Sequence, residues 1–130
     1  MNQYKNLKVW QKGVELVVSV YKKTDYFPDK EKYGLITQIN RCTVSIVSNI
    51  AEGAGRNSNK EFNNFLGITL GSSCELETQL IVANKLGYLS GEDLNELIVQ
   101  IEEIQKMVVG LQKNIQQTNI LKTNELKTND

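Results

Sequence analysis

From Leu94 to Ile115 the apolar residues fall at alternating intervals of three and four: Leu94, Leu97, Ile101, Ile104, Val108, Leu111, Ile115. A helix of 3.6 residues per turn puts such a series on one side, as a seam that other helices must cover. The start of this helix is marked by Ser90 and Asp93, which can cap it, and by Leu89 with Leu94, which match a hydrophobic staple. Its early outer face is acidic, with Glu92, Asp93, Glu96, Glu102 and Glu103.

Three earlier stretches carry the same rhythm. The first predicts a helix from about Leu7 to Lys23, N-capped by Asn6, with Leu7, Trp10, Val14, Val17 and Tyr21 as its apolar stripe and Val18 widening it. Lys5, Lys8, Lys12, Lys22 and Lys23 fall on the opposite face, with Glu15 beside them. Pro28 fits the first turn of a second helix, from about Asp29 to Ala54, with Asp29 and Glu31 near its positive dipole end. Ile36, Ile39, Cys42, Ile46 and Ile50 form its apolar stripe. Beside them runs a polar seam of Gln38, Arg41, Ser45, Ser48, Asn49 and Glu52, either solvated or buried with its hydrogen bonds satisfied.

Gly53, Gly55 and Arg56 make the next turn, where glycine can supply a left-handed cap. Ser58 and Glu61 form a capping box that opens a third helix, from about Asn59 to Leu86. Phe62, Phe65, Leu66, Thr69, Ser73, Leu76, Leu80 and Ala83 keep its register. Its small middle, Gly67, Gly71, Ser72 and Ser73, would let another helix come close. Gly87 ends it, with Tyr88 as the hydrophobic contact of the cap. Arg56 and Lys60 beside a helix N-terminus could hold a phosphate, although a plain interhelical turn fits the residues better.

The fold class that follows is all-α: an up-down-up-down antiparallel four-helix bundle over residues 1–116, with a polar tail over 117–130 expected to be disordered. Helices 2 to 4 would each reach about 35–42 Å at ~1.5 Å per residue.

Composition narrows the chemistry. Fifteen basic and fifteen acidic residues balance, and histidine is absent. The commonest general base and metal ligand are therefore missing, and with them the Glu-x-x-His di-metal site of ferritin-like bundles. Glu75 and Glu77 point to different sides of a helix, and Cys42, Cys74 and Ser45 have no recognisable activating base. The reading is a non-enzyme, with no catalytic residues, no metal and no cofactor. Two distant cysteines inside helical patterns suggest free thiols in a reducing compartment, and MNQYKNLKVWQKG has no apolar signal core. With no membrane-length apolar run, a cytoplasmic protein is expected. Charge is uneven all the same. Most lysines and both arginines precede Glu61, and the remainder is net acidic.

Several motifs together resemble a known family: Gln38-x-x-Arg41, Ser45-Ile46, Asn49-Ile50-Ala51-Glu52-Gly53 and Gly71-Ser72-x-x-Glu75-Leu76-Glu77. Leu7-x-Val9-Trp10-Gln11-Lys12, Phe27-Pro28-x-x-Glu31-x-Tyr33-Gly34-Leu35 and Leu86-Gly87-Tyr88-Leu89 extend the match from Leu7 to about Leu111. The chain is similar to the four-helix-bundle proteins encoded in intervening sequences of bacterial 23S rRNA genes, and to accessory proteins of diversity-generating retroelements. It departs from them at Val47, where proline often follows Ser-Ile and kinks the helix. The resemblance implies a homopentamer without catalytic residues, whose partners are itself and RNA, a reverse transcriptase or another ribonucleoprotein component.

The function expected is a homo-oligomeric bundle binding RNA or a ribonucleoprotein partner; the alternative is a protein–protein adaptor. Lys5, Lys8, Lys12, Lys22, Lys23, Arg56 and Lys60 are the candidate nucleic-acid contacts. Gln38, Arg41, Ser45, Asn49, Glu52 and Glu75 form the structural seam, with an Arg41–Glu75 ion pair expected across it. Basic helix 1 and acidic helix 4 could meet within one chain or between two.

Overall fold

The structure, a computed structural model, describes the backbone of residues 3–128 and the side chains of residues 3–117. Four α-helices follow a short 3-10 turn at Gln3–Asn6: α1 (Lys8–Thr24), α2 (Leu35–Ala54), α3 (Asn59–Lys85) and α4 (Gly91–Thr128). A second 3-10 turn, Asp29–Glu31, lies between α1 and α2.

The helices pack as a ring in chain order. Each touches the next, α4 closes on α1, and the backbones make no close approach across either diagonal among the described residues. Every seam is antiparallel. Gly13 lies against Val47 and Thr24 bonds Asn40 between α1 and α2. Cys42 meets Ser72 and Gly53 meets Phe62 between α2 and α3. Gln105 reaches back to Ser73 between α4 and α3, and Lys12 and Lys23 reach Glu103 and Asp93 on α4. This is the expected four-helix bundle.

The core is the apolar stripes, layer on layer. Ile39, Ile46 and Ile50 of α2, Leu66, Leu76 and Leu80 of α3, and Leu97 and Ile101 of α4 are all fully buried. Each such side chain contributes about 1.5–3 kcal/mol by leaving water. Phe27 and Leu89 close one end.

On α1 the core stripe differs from the expected one. Val9, Gly13, Leu16, Val20 and Thr24 face inward, whereas Val14, Val18 and Tyr21 are exposed. Apolar residues occupy so many α1 positions that two overlapping stripes have helical spacing. Glycine decides between them: a Cβ on Gly13 would collide with Val47, so α1 approaches α2 along the Gly13 side.

The helix ends follow local chemistry, with three corrections. Leu7, in extended conformation and without a side-chain cap, precedes α1 in place of Asn6, because residues 3–6 are already wound into a 3-10 turn. After Pro28 the chain makes only one 3-10 turn. Gly34 (φ −116°, ψ −107°) interrupts it, and α2 begins at Leu35. There the Glu31 carboxylate accepts from the Leu35 N–H (3.4 Å) and from the Tyr88 hydroxyl (3.1 Å), tying the start of α2 to the α3–α4 turn.

The third correction concerns the α2–α3 turn. Gly55 has φ −83°, so no left-handed cap exists there. Gly53 is required for another reason: a Cβ would meet Phe65 Cβ at 2.6 Å. The left-handed cap is at Gly87 (φ +85°), where Tyr88 N–H donates to Ala83 O (2.9 Å) and Gly87 N–H to Asn84 O (3.0 Å), a complete Schellman motif.

Ser58 caps α3 as expected, its Oγ accepting from the Glu61 N–H at 3.1 Å. Ser90 does the same for the Asp93 N–H at 3.0 Å. α2 runs unbroken through Val47, without the kink a proline would bring. α4 continues to Thr128, past the boundary expected near residue 116. Neither glycine nor proline follows Gly110 to stop it, and the side chains of the expected tail lie outside the described residues from residue 118 on.

Candidate nucleic-acid interface

The candidate cations separate into two ends and a middle. The 3-10 turn that carries Lys5 packs against both α1 and α2. Because α1 and α2 are antiparallel, Lys5 and Lys8 share an end of the bundle with Arg56 and Lys60. Lys22 and Lys23 lie at the other end. Two of the lysines are engaged: Lys12 Nζ is 3.1 Å from Glu103 and Lys23 Nζ 2.9 Å from Asp93. Basic α1 and acidic α4 are therefore neighbours within one chain. The Asp93 carboxylate holds Lys23 above its ordinary 10.5, and Lys23 holds Asp93 below 3.8, through their shared hydrogen bond first. Arg56 pairs with Glu52 one helical turn back (2.9 Å) and lies 5.0 Å from the centre of the Phe65 ring. Lys5, Lys8, Lys22 and Lys60 form no ion pair among the described residues.

The polar seam divides. Gln38, Arg41, Ser48 and Glu52 are exposed. Ser45 and Asn49 are half-buried and bonded: Ser45 Oγ lies 3.1 Å from Ser72 Oγ, and Asn49 Nδ2 donates to Ser45 O (2.8 Å) and Oγ (3.0 Å). The Cys42 thiol donates to Ser72 O at 3.1 Å. Polar contacts thus fasten α2 to α3 along the margin of the core.

The expected Arg41–Glu75 ion pair is not formed. Ion pairs among the described residues join Lys12–Glu103, Lys23–Asp93 and Arg56–Glu52. The register is one residue off: Glu75 acts on Cys42, and Arg41 faces outward. Burial, then the Glu75 carboxylate, pushes the Cys42 thiol up to about 12.

Of the small residues of α3, Ser72 and Ser73 meet α2 and α4, but the two glycines do not admit a helix of the same chain. A Cβ on Gly67 or Gly71 would meet nothing within 4 Å, so that face of α3 is open.

The sequence reading missed a feature on α4. Two shallow depressions meet at Gly110. One, about 270 Å³, opens toward α1 and is lined by Lys8, Val9, Met107 and Leu111. The other, about 510 Å³, lies beyond Gly110, lined by Glu102, Lys106, Val109 and Lys113. The available signal was charge order: after Glu103 no acidic residue occurs before Glu125, while Lys106 and Lys113 do.

No described helix is long and apolar enough to cross a membrane, and no group of three or more metal-ligating side chains occurs among the described residues. A ring of four antiparallel helices with two open surface depressions defines the class as a helical-bundle protein. Residues 5–110 match the family model of the 23S rRNA-intervening sequence proteins, and the chain belongs to that family. Among solved structures it is similar to a protein of unknown function from the S23 ribosomal protein family of Bacteroides thetaiotaomicron. The two are 26% identical, with a TM-score of 0.75, over 81% of this chain and 95% of that one. No curated protein matches the chain.

Proposed function

We propose that this protein is a non-enzymatic, self-associating bundle of the cytoplasm that binds RNA or a ribonucleoprotein. The observation that carries the reading is the gathering of Lys5, Lys8, Arg56 and Lys60 at one end of a molecule whose net charge is zero. Local charge concentrates a polyanion at a surface even when the whole molecule is neutral. The family's link to rRNA intervening sequences fits the same ligand. Contacts would go mainly to phosphate, with weak sequence selectivity and a steep loss with salt. Two free thiols fit a reducing compartment.

Self-association rests on surface the single chain leaves uncovered. Val14 (37% exposed), Val18 (48%) and Tyr21 (43%) form an apolar stripe on α1, and the glycine face of α3 is open. A head-to-tail ring such as a homopentamer would repeat one such pair of faces, and would multiply modest RNA contacts by avidity. The same uncovered stripe favours the second reading, a protein–protein adaptor, in which it receives another protein.

Titration of a structured RNA at low and moderate salt tests the first reading, with Lys5→Glu/Lys8→Glu expected to weaken binding. Absence of binding at low salt would leave the adaptor. Light scattering tests assembly, and a monomeric mass at micromolar concentration would overturn it.

A further inference from the structure

Gly110 sits within a long helix where glycine has no packing role. A Cβ there would meet nothing within 4 Å, whereas those on Gly13 and Gly53 would collide with a neighbouring helix. Glycine is the poorest helix former after proline, so the fold alone would favour almost any other residue at this position. What its bare backbone does is lower the ridge of α4 between the two depressions. Lys8 stands on the α1 side of this notch. Lys106 and Lys113 stand on the other, seven residues apart and so about 10.5 Å along one face. None of the three pairs with an acid among the described residues; the one carboxylate lining the depressions is Glu102. Between the lysines the lining is mostly apolar, with Val9, Met107, Val109 and Leu111, and its uncharged polar groups are Gln105 and Asn114.

We propose that the Gly110 notch is a nucleic-acid strand site, in which an RNA strand crosses α4 with its phosphates on Lys8, Lys106 and Lys113. The inference rests on the RNA reading and adds to it a place and a direction. A lysine on each flank with a mostly apolar lining between them suits a chain of evenly spaced anions whose sugars lie against that lining. Because the contacts are to phosphate and the lining has no aromatic ring, the site selects the backbone and not the base.

The test is anisotropy titration of a labelled RNA hairpin carrying a single-stranded flank, at several salt concentrations. Four proteins are compared: wild type, Lys106→Glu/Lys113→Glu, Gly110→Gln, and Lys30→Glu/Lys32→Glu as a control of equal charge change at the opposite end. The α4 charge reversal should weaken binding on the order of tenfold and lower the salt slope by about two phosphate contacts. Gly110→Gln changes no charge. It should weaken binding by filling the notch, while its melting temperature stays at or above that of wild type. The Lys30/Lys32 control should bind nearly as wild type does. If wild type fails to bind at low salt, the RNA reading falls and the notch with it. If wild type binds and either α4 variant matches it, or the control loses as much as the α4 reversal, the notch alone falls.

Discussion

Gly13 of α1 and Val47 of α2 occupy one space: a Cβ on the glycine would fall inside the valine side chain. Gly13→Ala must therefore push α1 from α2 or turn Val47 out of its rotamer. Overpacking of this kind costs about 1–3 kcal/mol, against at most ~1 kcal/mol gained from helix propensity. Unfolding in urea should show Gly13→Ala less stable than wild type, with Gly13→Ala/Val47→Ala losing less than the sum of the single changes. A Gly13→Ala variant as stable as wild type would contradict the close approach.

Other glycines should respond with opposite signs. Gly87 holds φ +85°, where an L residue is strained by about 1–2 kcal/mol, so Gly87→Ala should lower the melting temperature. Gly71 is helical with open space at its Cβ, so Gly71→Ala should raise the stability of the monomer by about 0.5–1 kcal/mol. Equal responses from the two would refute the assignment of Gly87 as the left-handed cap.

The Lys23–Asp93 pair sets an acid-side dependence. Asp93 is held below 3.8 in the folded chain, so the unfolded chain takes up its proton first as pH falls. The stabilisation is complete above about pH 4 and is lost as pH drops through the lowered value. Urea unfolding of wild type and Asp93→Asn should give a stability difference that is constant near neutrality and shrinks below pH 4. A difference unchanged at low pH would show that the pair does not act through charge.

The thiols should differ sharply in reactivity. Cys74 is exposed, whereas Cys42 is buried and ionises only at about 12. Near pH 8 a thiol reagent should label one cysteine in the folded protein and two in denaturant. On the alkaline side the unfolded Cys42 ionises first, so its contribution to stability is present below its ordinary value near 9 and is lost as pH rises toward 12. Rapid labelling of both thiols in the native protein would overturn the burial of Cys42.

How much of this was legible depended on how many patterns each segment could satisfy. α4 has one apolar series with charges elsewhere, and its seam was read correctly from Leu97 to Val108. α1 has two series, and the choice lay in a contact with Val47 that no local pattern contains. Ser58–Glu61 and the Gly87 cap were legible because capping is decided within a few residues. Arg41–Glu75 was not, because pairing depends on a rotation of α3 that shifts by a whole face with one residue of register. At the candidate interface, Lys8 was legible from its place among the lysines opposite the apolar stripe of α1. Lys106 and Lys113 were missed because they belong to a helix that reads as acidic when taken whole. Gly110 gave no signal until its surroundings were known.

The ring of helices has four seams, and connections of ten residues or fewer hold three of them. The fourth, α1 against α4, joins residues at least as distant as Lys23 and Asp93, 70 positions apart, and Lys12 to Glu103 beyond them. Closing it requires ordering the largest loop in the fold, and its two ion pairs are partly exposed to solvent. Loop-closure entropy therefore predicts that this seam shuts last in folding. In the native protein, local opening is expected along this line first, with α1 amides exchanging hydrogen faster than those of the α2–α3 hairpin.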